Sequence, residues 1–349
     1  MTDGNAAPGL VPLSLLDRAL TPAGVSDAAV LTGVVDRART AEDLGFHGFW
    51  VAEHHAVPGI AGSSPALLAG AVAAATRRIR VGTGGLMVPT HPPFILAEQV
   101  SVLSALHPGR LDVGLGASTG FTAAVRRALH QSDDAAAEYD DDVAALVDAL
   151  GGRSPVTLRP QPAAPAPLLV LTGGSRLPLA ARLGLGAVVG GPSVHPPAGA
   201  AEGDGRRGPG HPEHTPLARY RQDFRPSPLR ERPRVIASVT VAVAPTPEAA
   251  QRLALPEVWA TALSRSTGSF DPLQPVDALD PDRLTHQQAR RVRRQLEMTV
   301  HGTPEHVQER LTAIARWTGA DELLLTGGVS DPEAGGLSDR LLAGLSIRR

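Results

Sequence analysis

Residues 45–120 read GFHGFWVAEHHAVPGIAGSSPALLAGAVAAATRRIRVGTGGLMVPTHPPFILAEQVSVLSALHPGRLDVGLGASTG, and this stretch decides the fold class. Three apolar runs, Phe49–Ala52, Ile79–Val88 and Leu111–Leu115, alternate with two segments of helical length. Strand, helix, strand, helix, strand is the pattern of a parallel sheet. Each run carries or meets a polar or flexible cluster: Glu53-His54-His55, Gly82-Thr83-Gly84-Gly85, and Gly116-Ala117-Ser118-Thr119-Gly120. Parallel strands send their carboxyl ends to one side, so the three clusters are expected on one face, where such folds bind ligands.

Outward from this stretch the alternation continues. Val11–Leu20 reads as a first strand and Thr32–Leu44 as an amphipathic helix with Val35, Ala38, Ala41 and Leu44 on one stripe. Ser64-Pro65 is a helix start, Ser as cap and Pro in the first turn. Further helices are expected at Phe94–Leu106, Phe121–Leu129, Ala135–Leu150 and Leu179–Leu185, with strands at Pro167–Thr172 and Gly186–Gly190. A Pro-, Gly- and Arg-rich excursion occupies 191–232 and holds His195, His211 and His214 in no metal-ligand pattern. Strand Arg234–Val243, a helix from Thr246 to Leu255, an irregular stretch Ala262–Arg283, helices Gln287–Met298 and Thr303–Trp317, strand Glu322–Thr326 and a closing helix Ser338–Leu345 complete the chain. Eight strands, most followed by a helix, in 349 residues fit a single (β/α)8 TIM barrel, residues 1–349, with long loop insertions at the strand C-terminal face.

Composition removes whole classes of chemistry. There is no cysteine, so disulfides, thiolate nucleophiles, zinc–thiolate sites and iron–sulfur clusters are excluded. There is no lysine either; all 33 Lys-plus-Arg residues are Arg, which excludes a Schiff-base or phosphate-loop lysine. A net charge of −2 points to neither nucleic acid nor an anionic membrane. With no basic, apolar leader and no apolar run of spanning length, a cytoplasmic location is expected.

Four groups of residues are candidates for chemistry. In Glu53-His54-His55, neighbouring side chains on extended backbone point opposite ways, so one histidine is expected to face the strand-end cleft, near its ordinary pKa and suited to proton transfer. The triplet lacks metal-site spacing and an obvious third ligand, so no metal is expected. Gly82-Thr83-Gly84-Gly85 bares the backbone of a strong strand, either for a tight bend or for a flat ring. Gly114-x-Gly116-x-x-x-Gly120 misses the dinucleotide fingerprint by one residue and lies outside the first strand–helix unit. Thr172-Gly173-Gly174-Ser175-Arg176, between a strand and a helix, has the donors of a phosphate cradle.

Together, GFHGFWVAEHH, RIRVGTGGLMVPTHPP and LHPGRLDVGLG, with the looser LLVLTGGSRLPLAARLGLG and HGTPEHVQERL…ADELLLTG, resemble the bacterial luciferase-like flavin monooxygenase family. The resemblance implies a (β/α)8 barrel that binds reduced FMN, or deazaflavin F420 in some branches, at the strand carboxyl ends. It implies a flavin hydroperoxide formed with O2, reduced FMN supplied by a separate flavin reductase, a hydrophobic organic substrate, and a homodimer. His54 matches the family's catalytic histidine, acting as base or assisting the peroxyflavin. Gly84 and Gly85 match the place beneath the isoalloxazine where the family often has a non-prolyl cis peptide. Thr172, Gly173, Gly174, Ser175 and Arg176 match its phosphate segment. The family's phosphate-binding Arg after the fourth strand is replaced by Ala117, leaving Arg176, or less directly Arg126, to take its place. Epoxidation, hydroxylation and Baeyer–Villiger insertion on a polyketide-type natural product, as in antibiotic biosynthesis, are the expected reactions. F420-dependent hydride transfer and a non-catalytic flavin-binding role are the rival readings.

Overall fold

The computed structural model describes residues 10–197 and 214–348. Its strands are β1 (Leu13–Asp17), β2 (Gly48–Val51), β3 (Arg80–Met87), β4 (Leu111–Gly116), β5 (Leu168–Thr172), β6 (Gly186–Val189), β7 (Val235–Val243), β8 (Val300–Gly302) and β9 (Glu322–Thr326). The helices are α1 (Asp27–Asp43), α2 (Pro65–Ala75), α3 (Pro93–Leu106), α4 (Ala123–Ala128), α5 (Ala135–Leu150), α6 (Leu177–Leu183), α7 (Thr215–Asp223), α8 (Pro247–Thr267), α9 (His286–Glu297), α10 (Pro304–Thr318) and α11 (Pro332–Ala343).

The strands run in the order β6-β5-β4-β3-β2-β1-β9-β7, and β6 also pairs with β7, which closes eight parallel strands into a barrel. The expected (β/α)8 class is therefore what the chain forms. The extra strand β8 hangs on the far end of β7, outside the ring. Three residues between two helices gave no periodicity to read, which is why sequence inspection passed over it.

Alternation along each strand divides the core. In β2, Phe49 and Val51 pack outward with the helices, while Trp50 and Ala52 join Leu16, Leu169, Val188, Ile236 and Leu324 inside the barrel. Trp50 is fully buried, and its indole lies across the bare backbone of β3: a Cβ at Gly82 would meet Trp50 Cδ2 at 2.1 Å. Gly114 on β4 is bare for the same reason, with Thr83 O 2.3 Å and Leu171 Cδ1 2.5 Å from where its Cβ would lie. The glycine-rich strand thus accommodates a flat ring in the barrel interior, and that ring is the protein's own.

The amino-terminal end of the barrel is closed by buried charge. Asp112 accepts from Arg80 Nε at 2.6 Å and Arg234 Nη1 at 2.8 Å, while Glu322 pairs with Arg234 and accepts from Ser14. Desolvation opposes these charges, but the two guanidiniums hold the Asp112 carboxyl below its ordinary range.

Several local expectations shift. α1 begins at Asp27, with Ser26 accepting from the Ala29 amide as its cap. Ser64 precedes α2 but makes no side-chain capping bond. α8 runs to Thr267 straight through Pro256, overrunning the stretch expected to be irregular from Ala262. Its face of Ala250, Ala254, Pro256, Val258 and Ala262 is buried, and that burial outweighs the one backbone hydrogen bond a proline removes. Of the 191–232 excursion, α7 is helical, whereas 198–213, and with it His211, lies outside the described residues. No described helix is long and apolar enough to cross a membrane.

The contact between Trp50 and Gly82 is testable. Gly82→Ala should destabilise the chain by roughly 1–3 kcal/mol through overpacking, read as a drop in the urea midpoint. Adding Trp50→Leu should recover part of that loss; a purely additive double variant would show that the indole is not the obstacle.

Candidate active site

The strand register puts the candidate residues on one end of the barrel. β2 and β3 pair Trp50 with Gly82 and Val51 with Thr83, so Glu53 and His54 emerge beside Gly84 and Gly85 at the carboxyl ends. The Gly84–Gly85 peptide is cis, and the β3–β4 register shifts between Gly84 and Leu86. A Cβ at Gly85 would meet Gly114 O at 2.7 Å and Leu171 Cδ2 at 3.1 Å, which places the start of the Thr172–Arg176 turn two strands away on the same rim.

The two histidines do face different partners. His54 stacks on Phe121, ring centroids 6.4 Å apart and planes within 6°, although Phe121 itself is 65% exposed. His54 Nδ1 is buried without a hydrogen-bond partner. Burial first, and then the positive charge of Arg18, pushes its pKa down from 6.5 to about 4, against the opposing pull of Glu53. The expectation of a near-ordinary pKa is therefore corrected: His54 is a neutral imidazole at neutral pH. It can present one ring nitrogen as donor and one as acceptor, but it is a weak base toward water.

His55 turns instead to Glu53. The Glu53 carboxylate is 2% exposed and accepts from His55 Nε2 at 2.6 Å, His91 Nε2 at 2.9 Å, Thr90 Oγ1 at 2.8 Å and the Met87 amide at 2.9 Å. Burial alone would raise its pKa, yet the bonds from His91, Met87 and His55 hold it below the usual carboxylate range. Glu53, His55 and His91 are the one group of three potential metal ligands found among the described residues. The third member that the sequence did not show comes from the turn after β3, inside the THPP run.

The cradle residues are arranged differently from a bare loop of donors. Thr172 Oγ1 accepts from the Gly174 amide at 2.9 Å and the Arg176 amide at 3.1 Å. Gly173 and Gly174 have open space where a Cβ would be, and Gly174 has φ +127°. The Arg176 guanidinium lies 4.6 Å from the centroid of the buried Tyr139 ring. Arg126 donates to Gly120 O at 2.9 Å. In the excursion, His214 caps α7 through Nδ1, 3.2 Å from the Leu217 amide, and packs edge-on to Trp317, so its role is structural.

A cavity of about 400 Å³ opens between β1, β7, β9 and helices α1, α8 and α11. Leu20, Leu253, Ala254 and Val258 supply apolar wall, and the Arg18–Glu257 ion pair sits in it. Neither His54 nor Gly84 lines this cavity; Arg18 is the residue that both borders it and acts on His54. Arg18, Phe121 and His91 escaped sequence reading because each belongs to a different loop, and only barrel closure brings them to His54 and Glu53.

Residues 13–322 match the family model of luciferase-like monooxygenases. A luciferase-like monooxygenase of Escherichia coli strain K12 is 33% identical over 334 residues, 93% of each chain. Among solved structures, apo-MsnO8 superposes with a TM-score of 0.77 at 29% identity, covering 95% of this chain and 97% of its own. The oxygenating constituent of the 3,6-diketocamphane monooxygenase from Pseudomonas putida, solved with FMN, shares the fold at a TM-score of 0.66 and 16% identity, over 96% and 97% of the two chains.

The depressed His54 pKa has a measurable sign. Between pH 6.5 and about 4 the unfolded chain takes up a proton on His54 that the folded chain refuses. That contribution to stability is whole above pH 6.5 and is lost as the pH falls toward 4, on the order of 3 kcal/mol in full. His54→Gln should flatten the fall in urea midpoint between pH 6.5 and 4.5; parallel wild-type and variant curves would contradict the assignment.

Proposed function

The chain belongs to the luciferase-like monooxygenase family, and from that premise we propose that it binds reduced FMN at the carboxyl end of its barrel and uses O2 to oxygenate a hydrophobic organic substrate. The observation that carries this reading is the neutral, half-buried His54 imidazole with a buried, unpartnered Nδ1 beside the bare Gly84–Gly85 backbone. The residues fit the group. Gly84 and Gly85 offer backbone that a ring can approach closely, and the open Gly173–Gly174 turn with Arg176 suits an anionic tail.

FMN when bound supplies the redox chemistry; the protein supplies position, exclusion of water and a proton relay. His54, uncharged at neutral pH, holds a hydrogen bond to a reacting oxygen without placing a cation there. Phe121 covers the imidazole and keeps water off one face. Arg18, paired with Glu257, stands between His54 and the neighbouring cavity, which His54 itself does not line. We assign the whole of 1–349 to one barrel domain, with reduced FMN delivered by a separate reductase.

We also assign the chain to a homodimer. The outer surface of α2 and α3 carries Leu67 (76% exposed), Leu106 (67%), Ile95 and Val102 (43% each), and α2 has no charged residue at all. Exposed apolar side chains gathered on two neighbouring helices, one of them without charge, support a two-fold contact. Wild-type chain should sediment as a dimer and the pair Leu67→Arg with Leu106→Arg as a monomer; a monomeric wild type ends that assignment.

Binding tests the cofactor. FMN affinity, followed by fluorescence, should fall about tenfold or more in Arg176→Ala, from loss of a charge-assisted contact of roughly 1.5–3 kcal/mol. It should change little in Arg126→Ala, and equal small effects would remove Arg176 from the site. Oxygen consumption coupled to oxygenated product, with chemically reduced FMN and trial apolar substrates, separates this reading from F420-dependent hydride transfer, which needs no O2. His54→Ala should abolish that coupling; retained product formation would remove His54 from the chemistry, and a wild type that binds FMN but forms no product would return the chain to a non-catalytic flavin-binding role.

A further inference from the structure

We propose that Glu53 is the positioning residue of this site: its buried carboxylate accepts a hydrogen bond from an imidazole N–H of each of His55 and His91 and thereby fixes the distance between the His54 loop and the glycine-bared end of β3. This deepens the reading above and rests on it for the link to the cofactor.

The geometry is that of a clamp. The segment Glu53–His55 follows β2, and the segment Met87–His91 ends β3 and turns through the 3₁₀ turn Val88–Thr90. Four donor atoms converge on one carboxylate: His55 Nε2, His91 Nε2 and Thr90 Oγ1 on Oε1, and the Met87 amide on Oε2, with the single Thr90 hydroxyl proton also within reach of Met87 O at 2.7 Å. Three of the four come from the β3 side, and the Met87 amide lies two residues beyond Gly85. Glu53 is the immediate neighbour of His54, so the backbone it holds is also the backbone that aims the imidazole.

Acceptor capacity decides what the cluster is. A carboxylate has about four lone-pair sites, two on each oxygen; the two imidazole N–H groups take those of Oε1 and the Met87 amide takes one on Oε2, while the single Thr90 hydroxyl proton is shared between Oε1 and Met87 O. Because the carboxylate only accepts, both Nε2 atoms must carry hydrogen, which sets the tautomer of each ring. A divalent cation among Glu53, His55 and His91 has to evict two of those protons and break a satisfied buried network. The hydrogen-bonded clamp, not a metal centre, is what these residues build.

Glutamine at position 53 keeps the shape and loses the function. Its single amide oxygen has two lone-pair sites for the three donors His55, His91 and the Met87 amide, so at least one hydrogen bond fails and an amide N–H faces another donor. The experiment labels histidine with nitrogen-15 in the full chain and reads imidazole N–H signals without FMN, then titrates FMN. Wild type should show two slowly exchanging Nε2–H signals from His55 and His91. Glu53→Gln should lose at least one of them, shift the His54 resonance and weaken FMN binding about tenfold. His91→Gln, which removes one arm only, should give a smaller loss and stands in if Glu53→Gln does not fold. A folded Glu53→Gln with an unmoved His54 resonance and wild-type FMN affinity overturns the proposal. So does one equivalent of Zn2+ binding to wild type and not to His91→Gln, which makes the cluster a metal centre instead. The imidazole signals are read on the chain alone, so failure of wild type to bind FMN would strike the cofactor reading while the His54 resonance still decides the clamp.

Discussion

The structure depends on one steric bargain: a full-sized indole occupies the middle of a barrel whose third and fourth strands have been stripped to make room for it. Trp50 packs over Gly82, and its ring edge lies 3.2 Å from where Gly114 would carry a Cβ and 3.6 Å from where Gly84 would. A strand of successive glycines has little side-chain packing of its own to hold it in place. Here the indole provides that packing, since it is fully buried among Leu16, Ala52, Leu169 and Leu324. The floor of the candidate site is therefore a tryptophan, and the bare Gly84–Gly85 backbone sits directly above it. Large volume below and no side chains above is a way of building a flat shelf.

What stands around that shelf is electrostatically divided. His54 is kept neutral by burial and by the positive Arg18, while Glu53, one residue away, is kept anionic by four donors although it is almost inaccessible. The same desolvation acts on both groups and their partners decide the outcome. At the opposite end of the barrel, Asp112 and Glu322 are buried as well, but they are satisfied by the half-buried Arg80 and Arg234 and do not line the cavity described above. Paired charge at the amino-terminal end reads as architecture; unpaired polarity at the carboxyl end reads as chemistry.

The fold was legible in the sequence because its signal is repetitive. Runs such as Leu111–Leu115 and Glu322–Thr326 are buried on both faces, mostly apolar apart from the charges Asp112 and Glu322 near their amino-terminal ends, and spaced by helices, so each strengthens the next. The departures occur where local preference was overruled by packing, as at Pro256 inside α8, or where an element was too short to show a period, as at β8. The candidate site was legible only in part. His54 and the Gly84–Gly85 pair were visible from their place after strands and from family resemblance. The depressed His54 pKa was not, because it arises first from burial and then from Arg18, thirty-six positions away in sequence, and both act only once the barrel closes.

The glycines carry the sharper lesson about inference from sequence. A bare strand was read as room for a bend or for a ligand ring, and Gly82 turns out to serve a third purpose, room for Trp50. Both the tryptophan and the glycine were in plain view, but their connection is a cross-strand register, Trp50 opposite Gly82. Register follows from which face of each strand points inward, and two-sided apolar strands conceal that choice. A glycine run in a parallel barrel is thus evidence of close approach without saying by what. The identity of the approaching group must come from the neighbouring strand, layer by layer: at Gly82 it is the indole, and at the next inward position, Gly84, only the side chain of Leu16 and the edge of that indole come near. Beside them His54 carries a buried Nδ1 with no hydrogen-bond partner, the polar group at this rim that cross-strand packing leaves unanswered.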